Sequence, residues 1–299
     1  MSLRLAYNTN GTQNHRLCDA LALIAEAGYD GVALTLDVHH LDPFAPNLPR
    51  RAETLARLLA QLELGCVVET GARYLLDPRA KHEPTLISPD PDGRMRRLDF
   101  LRRAIDVAEI CGAEAVSLWA GTAQVTHATA WPWLIEGLNA VVAYARARDV
   151  IVAFEPEPGM LIETLDDFER LASEVDGLTL ALDTGHCLVT GEREAADAVR
   201  EFAGRLGTVT IEDMRRGEHL HLPFGEGDMD VTAVVGALSA IGFGGLVCVE
   251  SRATRIARTR WCTRRTRPCG RHWHEGVLRQ PPLLSSDLGN ERLRNQPAA

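Results

Sequence analysis

Residues 178–186 read LTLALDTGH. Leu178, Leu180 and Leu182 alternate with Thr179, Ala181 and Asp183, the period of two expected of a β-strand whose faces meet different surroundings. Two other stretches share the design. In VIVAFE (150–155), Val150, Val152 and Phe154 alternate with Ile151, Ala153 and Glu155; in LVCVE (246–250), Val247 and Val249 alternate with Leu246, Cys248 and Glu250. In a sheet closed into a barrel, the bulky series packs against outer helices and the series ending in an acid faces the axis. Glu155, Asp183 and Glu250 are then delivered inward at the C-terminal ends of their strands, where barrel active sites sit.

The same unit recurs along the chain. Further strand candidates are LRLAYNT (3–9), GVALTLD (31–37), GCVVETG (65–71), AVSLWAG (115–121) and TVTIED (208–213). Between the strands lie stretches with apolar residues three and four apart, among them HRLCDALALIAEAGY (15–29), MRRLDFLRRAIDVAEICGA (95–113), WPWLIEGLNAVVAYARARD (131–149) and TLDDFERLASEVDG (164–177). Several end at a glycine, as helices do. Strand and helix alternating eight times predicts an α/β fold, a (β/α)8 TIM barrel, over residues 1–250. A doubly wound open sheet usually has fewer strands and a phosphate-binding glycine fingerprint after the first; no such fingerprint is present.

The 299 residues include 45% hydrophobic and 24% charged residues, ample for a core, with a net charge of -9. The acidic balance argues against nucleic acid, which needs a basic footprint, and against anionic membrane surfaces. No apolar window is long enough to span a bilayer, and the start, MSLRLAYNTNG, lacks a basic segment followed by an apolar one. Seven scattered cysteines without a short repeated spacing read as reduced, mostly buried thiols, and a cytoplasmic location is expected.

Three carboxylates converging on one axis repel one another unless protonated or bridged by a cation. A divalent ion with oxygen ligands resolves this, often with an added imidazole. The simpler alternative is that each acid caps the following helix. Three acids at matching positions on strands five, six and eight favour the ion.

The segments FEPEPG (154–159), LDTGH (182–186), TIEDMRRGEHLHLPFGEGDMD (210–230) and VCVE (247–250), in that order on the right strands, resemble the sugar phosphate isomerase/epimerase family, xylose isomerase-like barrels that include tagatose epimerases and inosose dehydratases. YNTNG (7–11) and VETGARYLLDPRAKHEPTL (68–86), with the strand-seven motif, are most similar to its EboC-like members. The resemblance implies that Glu155, Asp183 and Glu250 are metal ligands, with Glu155 and Glu250 flanking the substrate as acid and base. It implies that His186, three residues after Asp183, contacts substrate, and that Arg216 binds substrate hydroxyls or phosphate. The family's fourth ligand is a strand-seven histidine, and Thr210 stands there in this chain. A hydroxyl is a poorer ligand than imidazole for a transition metal, so either Glu212, His219 or His221 substitutes or the metal is weak or absent. Glu212 is preferred, because it shares the parity of Thr210 in a regular strand.

The expected cofactor is a divalent metal, Mn²⁺ first, with Mg²⁺, Co²⁺ or Zn²⁺ as alternatives. The expected partner is a small polyhydroxylated substrate (a ketose, sugar phosphate or cyclitol), and a homo-oligomer is left open. The expected reaction is isomerisation or epimerisation through an enediolate, by proton transfer between carboxylates. The alternatives are a metal-dependent dehydratase, a non-catalytic barrel with a degraded metal site, and a phosphodiester hydrolase. The hydrolase would need several strand histidines, which are almost absent.

Trp119 and Glu69 end strands four and three and are candidates for stacking on a sugar and bonding a hydroxyl; a barrel-core tryptophan and a helix-capping acid are the plain alternatives. His219 and His221 are candidate substrate contacts or solvated loop residues, and His39 and His40 are expected at the rim. Gly225 and Gly227 read as a tight turn, since no Lys-Ser pair follows to make a phosphate cradle.

After Glu250 the composition changes. Residues 251–299 hold 11 arginines, no lysine and three acids, net +8, against 21 basic and 38 acidic residues, net -17, before them. Helical periodicity is lost where an eighth helix is expected. A frameshifted end fits best, followed by a basic disordered tail, and then a zinc site from Cys262, Cys269, His272 and His274.

Overall fold

A computed structural model describes residues 3–250. The Arg-rich segment 251–299, with its frameshift, basic-tail and cysteine–histidine readings, lies outside the described residues. Strand and helix alternate as expected: β1 Arg4–Asn8, α1 Leu17–Glu26, β2 Gly31–Thr35, α2 Leu48–Gln61, β3 Gly65–Glu69, α3 Pro91–Cys111, β4 Val116–Leu118, α4 His127–Arg146, β5 Val152–Phe154, α5 Leu165–Glu174, β6 Thr179–Asp183, α6 Thr184–Thr190, α7 Ala195–Glu201 and β7 Leu206–Ile211. A two-stranded antiparallel hairpin, β8 Asp213–Arg215 and β9 Glu218–Leu222, then interrupts the pattern before α8 Val231–Ala240 and β10 Leu246–Val249.

Eight parallel strands close in the order β1-β10-β7-β6-β5-β4-β3-β2. The chain ends of the barrel meet by pairing of Arg4–Tyr7 with Leu246–Val249. Every strand candidate in the sequence is a stave of this barrel.

The predicted face assignment holds. Val152, Phe154, Leu180, Leu182, Val247 and Val249 belong to the large outer core shared with the helices. Apart from Leu246, the axis is filled by small or medium side chains in two clusters, Ala6, Ala33, Val67, Leu246 and Cys248, and Ala115, Ala153 and Ala181. Leu246 needs room that only glycine leaves: a Cβ on Gly31 would lie 2.7 Å from both Leu246 methyl carbons. Small residues along the axis leave space toward the C-terminal mouth, where the inward acids stand.

Local signals set the element ends. Thr164 and Asp167 form a reciprocal capping box at the start of α5. Asp90 caps α3 ahead of Pro91, and Gly112, with φ +61°, ends it in the left-handed conformation.

Candidate active site

The C-terminal mouth opens into a cavity of about 900 Å³. Glu69, Trp119, Glu155, Asp183, His186, Thr210, His219, His221 and Glu250 all line it. Nine expected positions from seven chain segments therefore meet in one place.

Asp183 does two things at once. It is the N-cap of α6, and its Oδ1 accepts the backbone N–H groups of Gly185 at 2.7 Å and His186 at 3.4 Å. The capping alternative is thus correct for one oxygen, while Asp183 also faces the cavity and is only 4% exposed. One turn on, the buried His186 ring comes to lie beside it. His186 Nδ1 is 2.9 Å from the Pro156 carbonyl oxygen, 3.9 Å from Glu155 Oε1 and its Nε2 is 3.7 Å from Glu157 Oε2.

Glu157 is the functional candidate that sequence reading missed, and the signal was present. Proline disfavours helical geometry in the residue before it, so Pro156 and Pro158 carry the strand's alternation past β5. Glu157 then shares the inward side of Glu155, and both line the cavity. Asn8 and Asn10 were missed too. Their side-chain amides donate to Glu250 Oε2 at 2.9 Å and Oε1 at 2.6 Å.

Ligand atoms of Glu155, Asp183 and His186 lie within 4.8 Å of one another, as do those of Glu157, His186 and His219. These donor sets, oxygens and imidazoles that are buried or half-buried except for the exposed His219, fit a divalent ion. Glu250 joins neither cluster among the described residues, because its carboxylate is turned to the two asparagines. The expected triad of acids is thus two acids and a histidine, with the third acid elsewhere in the cavity wall.

Crowding shows in the protonation of these groups. Burial, then the charges of Glu157, Asp183 and Glu250, push the Glu155 carboxyl well above the usual range. Burial raises Glu157 to about 7 against the opposing pull of His186. For His186, burial works against protonation, but Asp183 and Glu157 outweigh it and the net shift is upward. Burial and the neighbouring His186 and His221 depress His219 to about 4.

Two expectations need correction. Glu212 is fully buried and does not line the cavity. The parity itself holds, as it does for Glu155 and Glu250 one residue past their strands, and the Glu212 carboxyl lies beside Asp183; but it packs against Gly185 and hydrogen-bonds His221 Nδ1 instead of opening to the cavity. Arg216, at the hairpin turn, is bound to Glu194 at 2.8 and 3.0 Å and lies outside the cavity wall. Its charge is already matched at the surface.

The remaining candidates divide. Trp119 is 6% exposed, with the Arg97 guanidinium 4.5 Å from its ring centre and His82 edge-on at 5.3 Å, so it is both a core residue and cavity wall. Glu69 accepts the Gly71 N–H at 2.6 Å and still faces the cavity. His39 is exposed and His40 buried, and neither lines it. Gly225 and Gly227 form the expected tight turn, but around an anion supplied by the chain itself. The buried Asp213 carboxylate accepts the N–H groups of Gly225, Gly227 and Met229 at 2.7, 3.0 and 3.1 Å.

Comparison with known proteins agrees with the barrel fold. The sequence model of the xylose isomerase-like TIM barrel family matches residues 21–267. An inosose dehydratase of Clostridium perfringens is 26% identical over 88 residues; the match spans only 29% of this chain and 29% of that protein's length. L-ribulose 3-epimerase of Mesorhizobium japonicum is 26% identical over 248 residues, covering 79% of this chain and 75% of that protein. A crystal structure of the IOLI protein with a binding zinc atom superposes with a TM-score of 0.64 at 18% identity, covering 84% of this chain and 90% of that one.

Proposed function

The chain belongs to the xylose isomerase-like TIM barrel family, and from that premise we propose that it is a divalent-metal enzyme moving a proton beside the carbonyl of a small polyhydroxylated ketone. The observation that carries the reading is the cluster of Glu155, Asp183 and His186 at the mouth of the barrel. Relatives named L-ribulose 3-epimerase and inosose dehydratase support a ketose or cyclitol ketone as substrate.

Glu155 and Asp183 would hold the ion, with Glu250 as the third carboxylate of the cavity and Mn²⁺ the expected metal. A bound divalent ion supplies Lewis acidity, making the proton beside a ketone carbonyl more acidic, and counters the surrounding negative charge. Glu155 removes that proton, leaving an enediolate. Glu250, on a different strand and oriented by Asn8 and Asn10, returns a proton from the other side and inverts the carbon. Return to the neighbouring carbon isomerises instead, and departure of a β-hydroxyl dehydrates. His186, Glu69 and the face of Trp119 contact the substrate's hydroxyls and ring.

The test is solvent deuterium exchange into L-ribulose and an inosose with Mn²⁺ supplied. Exchange next to the carbonyl is expected, and Glu155→Gln should reduce it by about 100-fold or more, the scale of a lost general base. Absence of exchange with both substrates would overturn the reading. Thr210 favours a second reading, a barrel that binds a sugar-like ligand without turnover because a metal ligand is gone. Tight binding of one Mn²⁺ per chain would exclude it.

A further inference from the structure

We propose that the substrate carries an anionic head group, phosphoryl or carboxylate, at the end remote from its ketone, and that Arg73 and Lys81 on the loop after β3 seat it. The proposal rests on the ketone reading of the same cavity and narrows the class of ketone. Of the chain's 32 lysines and arginines, Lys81 is the single lysine. Among the described residues, it and Arg73 are the two of that set that line the cavity. Arg216 adds no free charge, because Glu194 matches it.

Their place is across the ring from the ion cluster. In the closed order of staves β2 stands opposite β6, the strand of Asp183, and the loops after β1 and β3 flank β2. Gln13 and Asn14 from the first loop and Arg73, Lys81 and His82 from the second form this side of the wall. Arg73 Nη1 donates to Gln13 Oε1, which ties the two loops together. A substrate whose carbonyl lies at Glu155, Asp183 and His186 therefore extends its far end toward two cations.

Among the described residues neither Arg73 nor Lys81 has a carboxylate in ion-pair contact; the partner of Arg73 is a neutral amide. The acids of the same loop are turned elsewhere. Asp77 accepts the Arg79 N–H at 2.7 Å, Glu83 accepts the Ser88 hydroxyl at 2.7 Å, and neither lines the cavity. Glu69, which does, accepts the Gly71 N–H. Burial, then the charges of Lys81, Arg97 and Arg73, hold the His82 imidazole below its ordinary pKa, a sign of unbalanced positive charge, which draws an anion into a cleft. The loop is also fixed in place. The His82 N–H donates to the Arg73 carbonyl, and the fully buried Arg97 donates through Nη2 to the Thr70 carbonyl at 2.9 Å. A planar guanidinium matches two oxygens of a phosphoryl or carboxylate group, and an ammonium adds a point charge. A neutral ketose leaves both cations unmatched.

The test uses the full-length protein with Mn²⁺ supplied and three ketoses: L-ribulose, L-ribulose 5-phosphate, and D-fructuronate, whose carboxylate is at the chain end far from the ketone. Lys81 is the single lysine, so its reductive methylation by formaldehyde, read by peptide mass spectrometry, reports occupancy of this place alone. At least one of the two anionic sugars should slow that labelling at concentrations where L-ribulose does not. Calorimetric titration should show it binding about tenfold or more tighter than L-ribulose, the scale of a charge-assisted contact. Protection by one anion alone identifies its head group; protection by both identifies the shared negative charge. Arg73→Ala should reduce the preference for anion over neutral sugar by about tenfold, and Arg73→Lys should recover part of it. The preference is a ratio within one protein, so a modest loss of stability in a variant cancels. Equal binding of all three sugars, or a preference that survives both Arg73→Ala and Lys81→Gln, overturns the anionic subsite even where deuterium exchange into L-ribulose proceeds. Protection of Lys81 with no exchange into any of the three upholds the anion position and removes the ketone chemistry.

Discussion

Thr210 sits in the cavity wall with Asp183 on one neighbouring strand and Cys248 on the other. Its side chain gives the site a hydroxyl where the family resemblance implies an imidazole. Nothing else on β7 takes that place: Thr208 is the other residue of the strand that lines the cavity, and Glu212 has left the strand. Imidazoles reach the cavity instead from α6 and the hairpin, as His186, His219 and His221. Thr210→His restores a nitrogen donor beside Asp183 and is expected to tighten Mn²⁺ binding by about tenfold or more, read by calorimetric titration. Unchanged affinity would mean that a group already present completes the site.

Among the elements, the β8–β9 hairpin is the addition that reshapes the barrel mouth. It hangs from the end of β7 and is anchored from below by two buried acids. Glu212 holds His221, and Asp213 gathers the backbone of the following loop through three N–H groups. Loop and hairpin thus share one anchor, and the histidines depend on it. Asp213→Ala leaves three donors without their acceptor and is expected to cost about 2–4 kcal/mol, seen as a lower urea midpoint. A variant as stable as the parent would show that the turn holds itself together. The shared parity of Thr210 and Glu212 was legible in the sequence, but the contacts with Gly185 and His221 that keep the Glu212 carboxyl from the cavity were not, since they join different elements.

For the whole molecule, the concentration of acids at one end of the barrel couples stability to pH. Glu155 and Glu157 both titrate above the ordinary carboxylate value, Glu157 at about 7. Unfolded, they titrate near 4.5. Between those values these two carboxyls bind more protons in the folded, metal-free chain than in the unfolded one, so their charge penalty is absent below about pH 4.5 and grows as pH rises through 7. Glu157 alone contributes on the order of 3 kcal/mol to that loss. Urea midpoints of metal-free protein should fall from about pH 5 to 8, Glu157→Gln should flatten the decline, and added Mn²⁺ or Zn²⁺ should remove it. A profile already flat without metal would contradict the crowding.

The alternation of LTLALD, VIVAFE and LVCVE by itself determined the strands, the faces they bury and the inward placement of Glu155, Asp183 and Glu250. Period-two patterning is a local consequence of backbone geometry, so it can be read without the partners of each strand. The partners of each carboxylate could only be decided by the closed barrel. That Glu250 turns to Asn8 and Asn10, that Arg216 is spent on Glu194, and that His219 arrives beside Glu157 are contacts between residues far apart in the chain. Side-chain direction beyond a strand's end depends on which neighbours compete for each charge. No local period encodes that competition; it is settled where the staves and the hairpin meet.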